Sequence, residues 1–149
     1  MIALGNPLRG DDGAGPAVLH ALEGRVPDGV RLARCGGDPA ELLDLLDGAE
    51  RVVIVDAVRT GAPPGALHRL DAAAGPLPAR SAGASTHGLG LADGLELARA
   101  LGRLPASALV VGIEAAGDEP GGALSPQVAA AIEPAAALVL DALMPARAV

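Results

Sequence analysis

A chain of 149 residues, half of them apolar, has the size of one domain with a single core, so the expectation is one domain over 1–149 and a two-domain arrangement is excluded. Phe, Tyr and Trp are absent, which leaves Ala, Leu, Val, Ile and two Met to fill the core and removes any aromatic platform for stacking nucleobases. All 11 basic residues are Arg against 18 acidic ones, a formal charge of -7; a nucleic-acid binder needs the opposite balance, and without lysine neither a Schiff base nor a P-loop lysine is possible.

Met1 to Leu4 is a short apolar opening that meets Gly5-Asn6-Pro7 and reads as a brief buried strand ending in a turn. After Asp11-Asp12-Gly13, the residues Gly15, Val18, Leu19 and Leu22 recur at helical spacing until Gly24 stops them. Val30 to Arg34 is a weaker strand candidate. Asp38-Pro39-Ala40-Glu41 then opens a helix, with Asp38 as cap, Pro39 in the first turn and Glu41 completing a capping box. Leu42, Leu45 and Leu46 face inward and Gly48 closes it.

Val52-Val53-Ile54-Val55 is a continuous β-branched run, the signature of a parallel strand covered on both faces, with Asp56 at its end. Pro63-Pro64-Gly65 turns into a further strand candidate, Ala66 to Leu70. A Gly/Pro/Ala/Ser loop leads to Ser85-Thr86-His87, followed by a helix with Leu91, Leu95 and Ala98 on one face. Leu109 to Ile113 is a second buried strand ending in Glu114. Ser125-Pro126 opens the last helix, capped by Ser125 and expected to kink at Pro134.

Strands and helices alternate, so the fold class is α/β, a single-domain sandwich with a mostly parallel twisted sheet and helices on both faces. Such sheets bind ligands outside the carboxyl ends of their strands. Asp11 and Asp12, Asp56 and Glu114 all follow strands there. The glycine-dense loop 5–15 invites comparison with a phosphate cradle, but paired carboxylates compete with an anion for the helix N-terminus, and no Gly-x-Gly-x-x-Gly is present. Locally, Asp11 or Asp12 either caps the helix or binds a ligand, and Asp56 either caps the next turn or does the same. With His87, two carboxylates and one imidazole on one side of the sheet suit a borderline divalent metal. No Gly-x-Ser-x-Gly elbow exists, Cys35 reads as a small buried residue, and His20 and His68 read as non-catalytic.

Gly5-Asn6-Pro7-Leu8-Arg9-Gly10-Asp11-Asp12-Gly13-Ala14-Gly15, then Val53-Ile54-Val55-Asp56-Ala57-Val58, then Ser85-Thr86-His87-Gly88-Leu89 together resemble the hydrogenase maturation proteases. These endopeptidases trim the large subunit of nickel-iron hydrogenases. The resemblance runs in order through Gly112-Ile113-Glu114 and Leu124-Ser125-Pro126. It implies an α/β sandwich, and it implies that Asp12, Asp56 and His87 are both the catalytic residues and the ligands of nickel. That nickel is supplied by the [NiFe] hydrogenase large-subunit precursor rather than permanently bound, and its presence licenses removal of the C-terminal extension. Two positions depart from the family pattern. Ala3 stands where relatives usually have glycine, and Cys35 stands where many carry an aspartate before Gly36-Gly37, so no role of that aspartate transfers.

The leading expectation is therefore an aspartyl-type endopeptidase of hydrogenase maturation, cytoplasmic, with no membrane insertion and no nucleic-acid partner. The absence of a basic flank and long apolar run in the first residues, and of an uninterrupted apolar stretch of membrane-spanning length, supports that placement. The rivals are a non-cleaving nickel-sensing or chaperone-like module for the same precursor, and a small hydrolase of nucleoside-like metabolites suggested by fold analogy alone.

Overall fold

The computed structural model describes residues 1–78, 90–117 and 121–144. Five strands form one sheet: β1 (Ile2–Leu4), β2 (Ala33–Cys35), β3 (Arg51–Val58), β4 (Leu67–Asp71) and β5 (Ser107–Glu114), in the order β2-β1-β3-β5-β4. All neighbours are parallel except β4, which runs antiparallel to β5. This matches the expected α/β class. The antiparallel edge strand follows from chain length, since the eight residues between Val58 and Leu67 are too few for a crossover helix, which parallel pairing would require.

Among the described residues four helices cover the sheet: α1 (Ala14–Leu22), α2 (Pro39–Leu46), α3 (Leu91–Ala100) and α4 (Pro126–Leu143). The alternation of side chains along β3 sorts them into two layers. Val53 and Val55 join α1 and α4, through Val18, Leu22, Val128 and Val139. Val52 and Ile54 join α2 and α3, through Leu42, Leu46, Leu95 and Ala98. The chain passes from β1 outward to β2 and then back across β1 to β3, so the topological switch lies between β1 and β3. A crevice opens there at the carboxyl ends of the two strands.

A core without aromatic rings relies on close approach of small side chains. Along α4, Ala131, Ala135 and Ala136 are buried, which lets this helix lie near α1. By length and composition α4 is apolar enough to cross a membrane, yet its buried stripe sits in the core of the α1 layer. It runs as one helix through Pro134, so the expected kink does not divide it. Gly15 does the same for α1: a Cβ there would collide with the Leu4 carbonyl oxygen and lie 2.8 Å from that of Val55. Only glycine lets the first turn of α1 sit down on the ends of β1 and β3, which brings the preceding Asp12 to the crevice.

Local signals mostly hold. Asp38 caps α2 by accepting from the Ala40 N–H at 2.9 Å, while Glu41 accepts from the Gly36 N–H instead of closing the capping box. Cys35 is buried at the end of β2, and that burial pushes its thiol pKa up, in keeping with a small core residue. The strand expected at 30–34 forms only at Ala33–Cys35, because β1 offers it just three residues to pair with.

Candidate active site

Three connections meet at the carboxyl edge of the sheet: residues 5–13 after β1, 59–66 after β3, and the described residues 115–117 and 121–125 after β5. Gly5 starts the first with φ +124°, and a Cβ on it would collide with the Asp12 carbonyl oxygen. The loop can therefore fold back on itself only through glycine. It closes when the Asn6 N–H donates to Asp12 Oδ2 at 2.8 Å, and a short 3-10 turn, Gly10–Gly13, leads into α1.

The two adjacent aspartates have separate tasks, and neither caps α1, whose N-terminus has no side-chain cap. Asp11 is 1% exposed. Its carboxylate accepts from the backbone N–H groups of Ala116, Gly117 and Ser125 and from the Ser125 hydroxyl, all at 2.7–3.1 Å. Burial alone would raise its pKa, but these four donors outweigh it and hold the group below the usual aspartate range. The expected capping by Ser125 is corrected on the same ground: its side chain makes no cap bond because its hydroxyl serves Asp11. Asp11 is thus a staple between the first and third loops.

Glu114 performs the same task for the second loop. It is also 1% exposed, and accepts from the Thr60 N–H, the Thr60 hydroxyl and the Ala62 N–H at 2.8–2.9 Å. Its backbone bonds Gly65 and Ala66 in addition. His68 Nε2 stands 3.5 Å from Glu114 Oε2 and makes no hydrogen bond. With Thr60 and Ala62 supplying its donors, Glu114 is an anchor rather than a reactive acid.

Asp12 and Asp56 are left at the crevice, both partly exposed. Asp56 lies inside β3, opposite Gly112 of β5, and not at the strand end where the apolar run placed it. Its carboxyl pKa is pushed up to about 7, first by desolvation and then by the charge of Asp12, against a smaller opposing effect of the Ala57 N–H. The two carboxylates therefore come within electrostatic reach of each other, one from each side of the strand switch.

His87 lies outside the described residues, as do Ser85 and Thr86. The chain resumes at Gly90, the N-cap of α3. That helix precedes the first residue of β5, so its N-terminus belongs to the same carboxyl edge as Asp12 and Asp56. Among the described residues no three His, Cys, Asp or Glu side chains are gathered to hold a metal; the described part of the site contributes two carboxylate donors. Two neighbouring oxygen donors, one of them reluctant to ionise, repel each other, and a divalent cation placed between them would relieve that repulsion.

The raised Asp56 pKa has a sign in stability. The unfolded chain releases this proton near pH 4, about the ordinary aspartate value, whereas the folded one keeps it to about 7. Stability therefore falls as pH rises through that window and is level on either side. Asp56→Asn, which cannot ionise, is expected to flatten the window and to melt above the parent at pH 8. Parallel Tm-against-pH curves for the two proteins would contradict the assignment.

A family model described as hydrogenase maturation protease matches residues 16–142. The chain belongs to the hydrogenase maturation protease family and is an endopeptidase, a hydrolase acting on peptide bonds. In particular, it is 34% identical to the hydrogenase maturating endopeptidase HybD of Escherichia coli, covering 95% of this chain and 89% of that one with a TM-score of 0.80. It is 31% identical to the [NiFe] hydrogenase maturation protease HybD of Thermococcus kodakarensis, covering 96% and 97% with a TM-score of 0.74. Among sequence relatives, the hydrogenase expression/formation protein HupD of Thiocapsa roseopersicina is 32% identical over 96% of this chain, which spans 66% of that protein's length.

Sequence reasoning placed Asp12 and Asp56 at the right edge of the sheet. It missed the anchoring roles of Asp11 and Glu114, for which no local pattern exists, since the Asp11 partners lie 105 to 114 residues away.

Proposed function

We propose that this endopeptidase removes the C-terminal extension of a nickel-loaded [NiFe] hydrogenase large-subunit precursor, and that Asp12, Asp56 and His87 grip the nickel of that substrate. The observation that supports it best is the pairing of Asp12 with Asp56, whose pKa of about 7 leaves it protonated in part at neutral pH, so that an arriving cation displaces that proton to water. Asp12 is oriented by the Asn6 N–H, and Asp56 by its place in β3. Both are therefore positioned before the substrate binds. The client's ion would act as a Lewis acid on the scissile carbonyl, and the chain's own part is to hold that ion and the peptide beside it. Two of the three residues that hold the ion in this reading are aspartates, hence an aspartyl-type enzyme, and its place of work is the cytoplasm.

An open set of two carboxylates and one imidazole is looser than a resident metal site, which is usually closed and richer in histidine. The nickel should therefore enter with the precursor. Intact-mass measurement of the large subunit is expected to show loss of the extension only for nickel-loaded precursor, with metal-free precursor left whole and with no effect of thiol or serine reagents on the protease. Equal trimming of both forms would falsify nickel gating, and binding without any mass loss would favour the non-cleaving module.

A further inference from the structure

The loop that carries Asp12 presents two neighbouring side chains that neither the fold nor the proposed chemistry uses. Leu8 is 72% exposed, more than Leu97, Leu101 or Met144, the other exposed large apolar residues among the described ones. Its backbone is nevertheless fixed: the Leu8 N–H donates to Asn6 Oδ1 at 2.9 Å, its carbonyl accepts from the Gly121 N–H, and the flanking Arg9 and Gly10 N–H groups donate to Asn6 and Gly122 carbonyls. A single exposed apolar side chain is ordinary on a folded surface; Leu8 bears on function through its place, on a pinned turn next to Arg9 and the loop of Asp12.

Arg9 adds a second, independent sign. Its Nε is closed off from solvent and donates to no partner, and among the described residues its guanidinium makes no hydrogen bond or ion pair. A partly buried cation without a counter-charge is unfavourable by itself. Among the described residues the acids of its own loop do not supply one, since Asp11 is committed to residues 116, 117 and 125 and Asp12 to Asn6. The two terminal nitrogens of Arg9, which unlike Nε are not enclosed, match a carboxylate from another molecule.

We propose that Leu8 and Arg9 form the contact that selects the client peptide, with Arg9 taking a carboxylate of the precursor's C-terminal extension and Leu8 packing against an apolar side chain next to it. This rests on the reading of the site as that precursor's endopeptidase. The reach supports the assignment to the extension: the Asp12 N–H bonds the Arg9 carbonyl at 3.0 Å, so the pair lies one turn from the proposed metal ligand. A peptide extends by about 3.3 Å per residue, which puts the recognised carboxylate within a few residues of the bond to be cut. It is either an acidic side chain or the chain's terminal carboxylate.

The experiment is steady-state processing of nickel-loaded precursor by the parent, Arg9→Ala and Leu8→Ser. Both variants should melt with the parent, because neither side chain has a partner to lose. Expected is a rise in KM of about tenfold or more for Arg9→Ala with kcat within about twofold, the pattern of lost uniform binding, and a smaller rise for Leu8→Ser. Two altered precursors locate the carboxylate. One has the extension's Asp and Glu changed to Asn and Gln, and the other carries a Gly-Ser tail that displaces the terminal carboxylate. The Arg9→Ala penalty should vanish on one of them, which identifies the source. An unchanged KM, or a penalty that survives in both altered precursors, overturns the proposal while leaving the protease reading intact. A parent that cuts no nickel-loaded precursor overturns both.

Discussion

Asp56→Ala is expected to give a folded protein that processes nickel-loaded precursor at least about 1,000-fold more slowly than the parent, the scale of losing a group that holds the reaction's charge centre. Asp12→Ala and His87→Ala should fall with it. Their losses should not add, since removing any one ligand dismantles the same grip. Stability gives the control. Asp56→Ala removes a carboxyl group whose ionisation the fold opposes, so the variant should be no less stable than the parent at neutral pH. Asp12→Ala gives up a single hydrogen bond from Asn6, a cost of about 1 kcal/mol. Cys35→Ala should process at the parental rate, because the thiol is buried with its pKa raised and so is unsuited to attack. Timed mass spectra of the precursor, with circular dichroism on each variant, decide the matter. Parental cleavage by Asp56→Ala would remove this residue from the chemistry.

One position earlier the expectation reverses. Asp11→Ala strips four donors of their acceptor at once, three of them backbone N–H groups, in a site with 1% exposure. Each buried donor left unpaired costs about 1–3 kcal/mol before relaxation or entry of water, so a net loss of about 3–5 kcal/mol is expected. For a domain of this size that lowers Tm by roughly 10 °C or more. Acid should act on the parent in the same direction: a depressed pKa gives stability that is full above the ordinary aspartate value and is lost as pH falls through the folded one. Asp11→Ala should lack that part of the acid sensitivity. Chemical denaturation of Asp11→Ala and Asp12→Ala side by side measures the contrast. Similar small losses for both would show that Asp11 is not the staple between the loops.

The adjacent aspartates explain why the site was only partly legible from the residues. Asp-Asp after a glycine-rich turn is a local signal that acids stand at the start of a helix, but two side chains one residue apart leave the backbone in different directions. Which of them meets the Ser125 hydroxyl and which faces Asp56 depends on where Ala116, Gly117 and Ser125 lie against the first loop. The same holds for Glu114. Its position at the end of an apolar run was readable, whereas its commitment to Thr60 and Ala62 follows from β5 lying beside β3.

Strands and helices came directly from the spacing of apolar residues and from Gly, Pro and Asp at their ends, because burial of a face and the conformational limits of those residues act within a few positions. The β-branched run 52–55, the Asp38-Pro39 start of α2 and the α/β alternation are properties of the sequence alone. So is the motif set that marks the family. The strand order, the staple at Asp11 and the electrostatic coupling of Asp12 to Asp56 were decided only by the tertiary structure. Each depends on groups tens to more than a hundred residues apart, whose meeting is set by which packing buries both layers of the sheet while satisfying every buried polar group.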